Sequence, residues 1–172
     1  MAHALTSQDV QQAWSALVQE VRTAVLLTMR NGRPFGSHAP YVCGADWTRI
    51  YLHLSRLALH TQHLLADPHV SLFIAEPDGP GKNPLALRRI NLQGQAAQLS
   101  PDAPSYMKLK ERYLSRFPQA EMMFGFGDFA LWELRLDDAH FVLGFGQAFV
   151  STAVNPARWV HQKVERLSPM KD

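Results

Sequence analysis

The sequence predicts a mainly β fold with added helices (α+β): an antiparallel sheet closed into a barrel, with helices packed outside it. Three observations carry the prediction. Apolar–polar alternation of period two recurs in short runs between Thr23 and Phe145. The runs follow one another through turn-forming residues, which is how antiparallel neighbours connect. Helical spacing is confined to a few inserted segments, too few for the βαβ alternation of a parallel sheet.

Taken in order, Ser7 and Asp9 open an amphipathic helix over about residues 7–21, with Val10, Trp14, Leu17, Val18 and Val21 at helical spacing. Thr23 to Met29 turns β-branched and aliphatic, and Asn31-Gly32 follows it. Asn-Gly between strand-like runs signals a tight hairpin, because both residues tolerate positive φ. Phe35 to Cys43 is the return strand, with Pro40 marking an edge or bulge. Gly44-Ala45-Asp46-Trp47 turns the chain into a strand ending at Leu54, and a helix then carries Leu57, Leu64 and Leu65 toward a core.

Val70 to Ala75 reads as a buried strand, followed by a Pro- and Gly-rich loop from Glu76 to Pro84. Arg89 to Leu99 is a long strand, and Gly94 inside it signals a bulge or a close backbone approach. Pro101 to Phe117 reads as a helix with Tyr106, Leu109, Tyr113 and Leu114 on one face. Phe129 to Leu136 alternates cleanly, and Asp137-Asp138 is read as a turn into a last strand, Ala139 to Phe145. Asn155-Pro156 predicts a short C-terminal helix over about 155–163. The whole, 1–172, is expected to be one domain, with the barrel over about 23–150.

Composition sets limits. A chain of 172 residues is one domain's worth and buries about two-thirds of its unfolded surface. The formal charge of +2 comes from scattered basic residues, which argues against nucleic acid as an obligatory partner. Cys43 is alone, so neither an intramolecular disulfide nor a paired-cysteine zinc motif is available. Met1 to Asp9 lacks the apolar core and cationic start of a secretory leader. The longest apolar run falls far short of the roughly 20 residues of a membrane span. A cytoplasmic protein with no membrane association is expected.

Single residues are weighed the same way. His60 and His63 share a helix face and His69 follows, but no carboxylate is spaced to complete a metal set, so no metal site is expected. His53 sits on an alternating strand as a packed or hydrogen-bonded residue, and Cys43 as a small buried apolar one. Gly125-Phe126-Gly127 and Gly144-Phe145-Gly146 are turns, with Phe124, Phe126 and Phe145 in a core or a dimer seam. Trp14 and Trp132 read as core or interface, while Trp159 is the tryptophan placed to touch a ligand.

The most informative stretch runs from Ser55 to Leu72, a strand-to-helix junction that drops straight back into a strand. A helix start leaves backbone N–H groups without intrachain partners and favours negative charge. Ser55, Arg56 and Thr61 there suit a phosphate cradle, and Ser55 equally suits an ordinary helix cap.

Over about residues 18–150 the chain resembles the FMN-binding split-barrel superfamily of pyridoxamine 5'-phosphate oxidase-like proteins. Carrying the resemblance are Ser37-His38-Ala39-Pro40-Tyr41, Leu54-Ser55, His60-Thr61-Gln62-His63-Leu64 and Asp67-Pro68-His69-Val70-Ser71-Leu72. Asn83-Pro84-Leu85-Ala86, Arg89-Ile90-Asn91-Leu92-Gln93-Gly94, Tyr113 to Pro118 and Gly125 to Phe129 extend it. Asp138-Ala139-His140 with Gly144-Phe145-Gly146-Gln147-Ala148 is similar to the HugZ-type haem-utilisation branch.

The resemblance implies a homodimer with two ligand sites at the subunit interface, and FMN as cofactor of an oxidoreductase. It places Ser37, His38, Ala39, Leu54, Ser55, His60 and Thr61 around the flavin phosphate. Residues near Arg88 and Gln93, with Trp159, close the site from the partner. It names no catalytic residue. His38, Leu59 and His60 stand where the oxidase carries an Arg and an Arg-Lys pair, and the oxidase's C-terminal substrate motif is absent. Pyridoxamine phosphate oxidation is therefore not the expected activity. The alternatives are a haem-binding or haem-degrading protein of the same fold, with His161 offered as a C-terminal ligand, and a non-catalytic relative that binds another small molecule.

Overall fold

A computed structural model describes residues 5–151 and 158–162. The first helix, α1 (Ser7–Glu20), starts from a capping box: Thr6 Oγ1 accepts from Asp9 N and the Asp9 carboxylate accepts from Thr6 N. Its apolar face, Val10, Trp14, Leu17 and Val18, is buried. At its other end Arg116 donates to the carbonyls of Val18, Gln19 and Val21 at 3.0–3.1 Å, and Tyr41 Oη donates to Val18 and Val21. These bonds satisfy carbonyls that the helix cannot, and they put a cation on its negative end.

The strands are β1 (Thr23–Arg30), β2 (Arg33–Pro40), β3 (Val42–Cys43), β4 (Arg49–Ser55), β5 (His69–Ala75), β6 (Arg89–Gln98), β7 (Phe129–Gly144), β8 (Gln147–Ser151) and β9 (Val160–His161). All pairings are antiparallel, in the order β2-β1-β5-β6-β7-β4-β3, and β8 joins β7 to β9. The sheet curls into a split barrel. Two further helices lie outside the strand path, α2 (Leu59–Ala66) and α3 (Tyr106–Arg116). Among the described residues no helix is long and apolar enough to cross a membrane.

The hairpin at Asn31-Gly32 forms with both residues at positive φ, 51° and 72°. The long second strand does not run unbroken: Tyr41 interrupts it, and its buried ring and hydroxyl go to α1 instead. The helix expected from Pro101 begins only at Tyr106. Asp137-Asp138 is not a turn. β7 continues through it, and the turn comes at Gly146, whose φ is +72°, leading into β8, which the sequence reading missed. Phe145 is accordingly exposed on that turn and Phe126 is also largely exposed, neither of them in the core. Of the helix expected over about 155–163, residues 155–157 and 163 lie outside the described residues, and Val160–His161 form a strand.

β7 serves two neighbours along its length. Its first half pairs with β4 and its second half with β8, while β6 runs along both. The register slips between Gln93, opposite Asp138, and Gly94, opposite Leu136, so Asp137 is the extra residue of a bulge. Ahead of the bulge Trp132 and Leu134 point into the main core; beyond it Ala139 and Phe141 do. The inward phase changes from even to odd, which only an inserted residue allows. Gly94 makes the approach possible, because a Cβ there would lie 1.9 Å from the Arg135 carbonyl oxygen.

Both faces of the β4 strand are covered. Ile50, Leu52 and Leu54 join the main core, while Tyr51 lies in a second cluster with Val42, Tyr113, Phe117, Ala120 and Leu131 beneath α3. His53, on that same outer side, stacks on Phe124 with ring centroids 3.8 Å apart and 8° between planes, edged by Tyr113. Burial, aided by the Lys110 charge, pushes its imidazole down to about 4.

Two predictions test this framework. Gly94→Ala should lower the unfolding free energy in urea by about 1–3 kcal/mol or more, because neither backbone at the bulge can retreat. His53 resists protonation only when folded, so the unfolded chain takes the proton first. Stability is then full above the ordinary value of 6.5 and falls as the pH drops toward 4. Unfolding free energies measured at pH 7 and pH 5 should differ by about 2 kcal/mol through this group, and His53→Phe should flatten that difference.

Candidate functional site

The residues expected to cradle a phosphate are spread over different surfaces. On the β2 strand alternation sends neighbours to opposite faces: Ser37 turns inward, its Oγ 3.4 Å from the Leu26 carbonyl, His38 faces outward opposite Val25, and Ala39 is buried in the core. Leu54 is a core residue as well. Thr61 is wholly buried, and its Oγ1 has no partner among the described residues.

Ser55 is not the cap of α2. That position belongs to Ala58, which has no side chain to cap with. Ser55 Oγ accepts from Leu57 N at 3.1 Å and donates to Asp128 Oδ2 at 2.5 Å, while Arg56 N donates to the Asp128 carbonyl at 2.7 Å. The short α2 helix buries Leu64 but leaves Leu65 61% exposed, and Leu57, in the turn ahead of it, is 78% exposed, so these two do not reach the core. His63 Nδ1 meets Thr28 Oγ1 at 3.0 Å with its ring against Phe35, closing that end of the barrel. His60 is held below its ordinary value, first by burial and then by the charge of His63, so it is neutral near pH 7.

At this junction stand a carboxylate on Ser55, a neutral imidazole at His60, the backbone N–H groups of Arg56, Leu57 and Ala58 already used by the loop, and the exposed Arg56 side chain. The cation expected from Arg88 is engaged elsewhere in this chain: its Nη2 lies 2.7 Å from Glu20 and its Nε 3.0 Å from Glu76. Lys82 and Arg88 together hold the Glu76 carboxyl down to about 2. The donor set at the junction is partly committed: Ser55 is bonded to Asp128, while Arg56 is exposed. Asp128 is the residue that sequence reasoning missed, since nothing in Gly127-Asp128 shows that it will lie across from Ser55.

A cavity of about 530 Å³ opens instead on the outer face of the sheet, across β1, β5 and β6 beside the bulge. Leu27, Met29, Pro34 and Val70 form its apolar side; Ser71, Asn91, Gln93, His69 and Asp137 form its polar one. Of the residues expected at the site, Gln93 alone lines it. Ser71 Oγ and Asn91 Oδ1 are hydrogen-bonded across the strands. An open cleft with an apolar wall and a few convergent polar groups has the size and character of a small-molecule site. Its polar wall depends on register across strands, which a single sequence does not display.

Trp159 turns away from this face. It is buried against Trp14 and Phe141, and its Nε1 donates to Gln11 Oε1 at 3.2 Å. His161 Nε2 lies 3.2 Å from the Gly146 carbonyl oxygen, and its ring leans on Phe149. Among the described residues no group of three or more His, Cys, Asp or Glu side chains is arranged to hold a metal ion. Burial pushes the Cys43 thiol up to about 12, which leaves it inert as a nucleophile.

Comparison with known proteins places this geometry among relatives. The chain is 29% identical over 147 residues to the haem oxygenase HutZ of Vibrio cholerae, a match covering 83% of this chain and 81% of that protein. It is 35% identical over 121 residues to the chloroplastic haem oxygenase HOZ of Arabidopsis thaliana, covering 70% of this chain but only 35% of that longer protein. Among solved structures, that of HutZ from Vibrio cholerae, described as a haem storage protein, superposes with a TM-score of 0.63 at 26% identity, covering 73% of this chain and 88% of that one. The profile of the pyridoxamine 5'-phosphate oxidase family matches residues 10–143, and the chain, a split barrel, belongs to that family.

Proposed function

We propose that this chain binds haem, as a homodimer in which the outer sheet faces of two subunits meet. The amphipathic cavity on that face carries the reading: Leu27, Met29 and Pro34 offer van der Waals contact to a flat apolar ring, and Ser71, Asn91 and Gln93 offer hydrogen bonds to its polar edge. The same face exposes Val25 and Val160, apolar residues that a partner subunit covers. Relatives named as haem oxygenases and as a haem storage protein support the choice of ligand.

FMN is the competing ligand, and the β4–α2 junction argues against it. Flavin phosphates are held by cations and free donors, whereas here Asp128 occupies Ser55 and His60 is neutral. Haem, once bound, supplies a redox-active iron; the protein contributes the dry apolar wall, the polar edge and a partner surface that together fix its position. Arg89 sits on the outer face beside Ala75 with its Nη1 donating to the Leu87 carbonyl at 3.0 Å, and Arg88 is spent on Glu20 and Glu76.

Separate titrations with haem and FMN, followed by absorption, decide between the two. The expected outcome is a Soret band that saturates at one haem per subunit, with no change in the flavin bands. Haem held at a hundred times its dissociation constant should raise stability by about 2.7 kcal/mol, read as an upward shift in Tm. A flavin spectrum that saturates at one FMN per subunit, with no Soret band, would overturn the proposal and return Ser55 and Thr61 to the centre of the site.

A further inference from the structure

We propose that the cleft between α3 and the β3–β4 hairpin binds a compact polyanion, a small molecule carrying two or more phosphate or carboxylate groups. The cleft encloses about 500 Å³ and shares no lining residue with the outer-face cavity, so the inference stands apart from the haem reading. Four cationic side chains line it, Arg49, Lys108, Arg112 and Arg135, against two carboxylates, Asp46 and Glu133. Basic residues that lie scattered along the sequence are gathered here by the fold, with an excess of two positive charges.

Both walls carry like charges at unfavourable spacing. On α3, Lys108 and Arg112 stand four residues apart on one face of the helix, where like charges repel. Lys108 is also in the first turn, at the positive end of the helix dipole, and no acidic residue offsets it there. Ser105, at the N-cap position and lining the same cleft, makes no capping bond with its side chain. Among the described residues neither Lys108 nor Arg112 has an ion pair or a side-chain hydrogen bond. Arg116, next in the row, is spent on the carbonyls at the end of α1.

On the sheet wall, Arg49 of β4 and Arg135 of β7 are direct register partners, a like-charge pair that destabilises an antiparallel ladder. They share one carboxylate: Glu133 lies 2.9 Å from Arg135 and 3.5 Å from Arg49, and Asp46 lies 3.1 Å from Arg49. An anion seated in the cleft meets free cations on the helix side and an under-neutralised arginine pair on the sheet side. Guanidinium forks hold phosphate or carboxylate through paired hydrogen bonds, and lysine adds a point charge. A ligand with two anionic groups relieves the repulsion within both walls at once, which a single small anion cannot do. Asp46 and Glu133 oppose it, so the test has a sign in each direction.

The test titrates the full chain with pyrophosphate and, separately, with citrate, followed by calorimetry. The expected result is saturation at one anion per subunit with at least one probe, weakened by added salt. Lys108 and Arg112 are exposed, so Lys108→Gln/Arg112→Gln is expected to fold, checked by an unchanged melting curve. This double variant should bind about tenfold more weakly or worse. Arg30→Gln/Arg33→Gln removes the same charge at the β1–β2 hairpin, outside the cleft, and should leave the affinity unchanged. Glu133→Gln frees the arginine pair and should tighten binding. Saturation by pyrophosphate alone assigns phosphate to the cleft, and saturation by citrate alone assigns carboxylate. No saturable binding of either probe, native affinity in Lys108→Gln/Arg112→Gln, or equal weakening by Arg30→Gln/Arg33→Gln overturns the proposal, and none of these results bears on haem binding.

Discussion

The close approach of β6 to β7 at Gly94 is the constraint on which the remaining geometry rests. A side chain at that position would occupy the space of the Arg135 carbonyl, and without the approach Asp137 could not be accommodated as an extra residue. The bulge in turn lets a single 16-residue strand present Trp132 and Leu134 to the core on one side of it and Ala139 and Phe141 on the other. A bulge increases local twist and bends its strand. Here it allows β7 to leave β4 and join β8, which is what splits the barrel. The outer-face cavity lies at the same spot and is lined by both Gly94 and Asp137. Sheet curvature and the outer-face cavity thus arise from one local irregularity.

Electrostatics then sorts the two places where a ligand could be expected. At the β4–α2 junction Ser55 Oγ and the backbone N–H groups of Leu57 and Arg56 are spent within the loop and on Asp128. A dianionic group there meets the Asp128 carboxylate, and the cation at hand is the exposed Arg56. The outer face carries amides, a hydroxyl and an imidazole beside aliphatic walls. Such a surface suits a large ring with a few polar points better than a compact anion. The basic residue expected to help, Arg88, ties β6 to α1 through Glu20 and to the β5–β6 loop through Glu76, which gives it a structural task inside its own subunit.

Legibility in the sequence followed the range of the interaction. The Asn31-Gly32 hairpin, the amphipathic α1 and the anomaly at Gly94 are local signals, and each formed where expected. Asp137-Asp138 was misread as a turn for a physical reason: a bulge and a turn both break alternation, and two acidic residues favour either. Leu57 and Leu65 stay out of the core for two reasons: the helix starts only after Ala58, leaving Leu57 in the turn ahead of it, and apolar identity does not reveal which face of an eight-residue helix is covered. At the site, motif order led to Ser55 and Thr61, but Asp128 lies 73 residues from Ser55 in sequence, and the Asn91–Ser71 contact depends on register. Contacts of that range are properties of the folded sheet and leave no trace in spacing.

The position of the cavity on an open sheet face has a thermodynamic consequence for the proposed dimer. A flat ring resting on one such face leaves its other side in water, so most of the apolar gain is available only when a second surface covers it. On the proposed homodimer, the partner's sheet is that surface. Ligand and subunit association are then linked: the factor by which dimerisation tightens haem is the factor by which haem tightens the dimer. The edge strands sharpen this coupling. β2 borders the cavity through Pro34, which has no N–H to offer a further strand, so growth of the sheet at this edge is discouraged while packing face to face is not. On the proposed homodimer the fold holds its ligand through association, each chain supplying one apolar wall and one polar edge of a site that two chains complete.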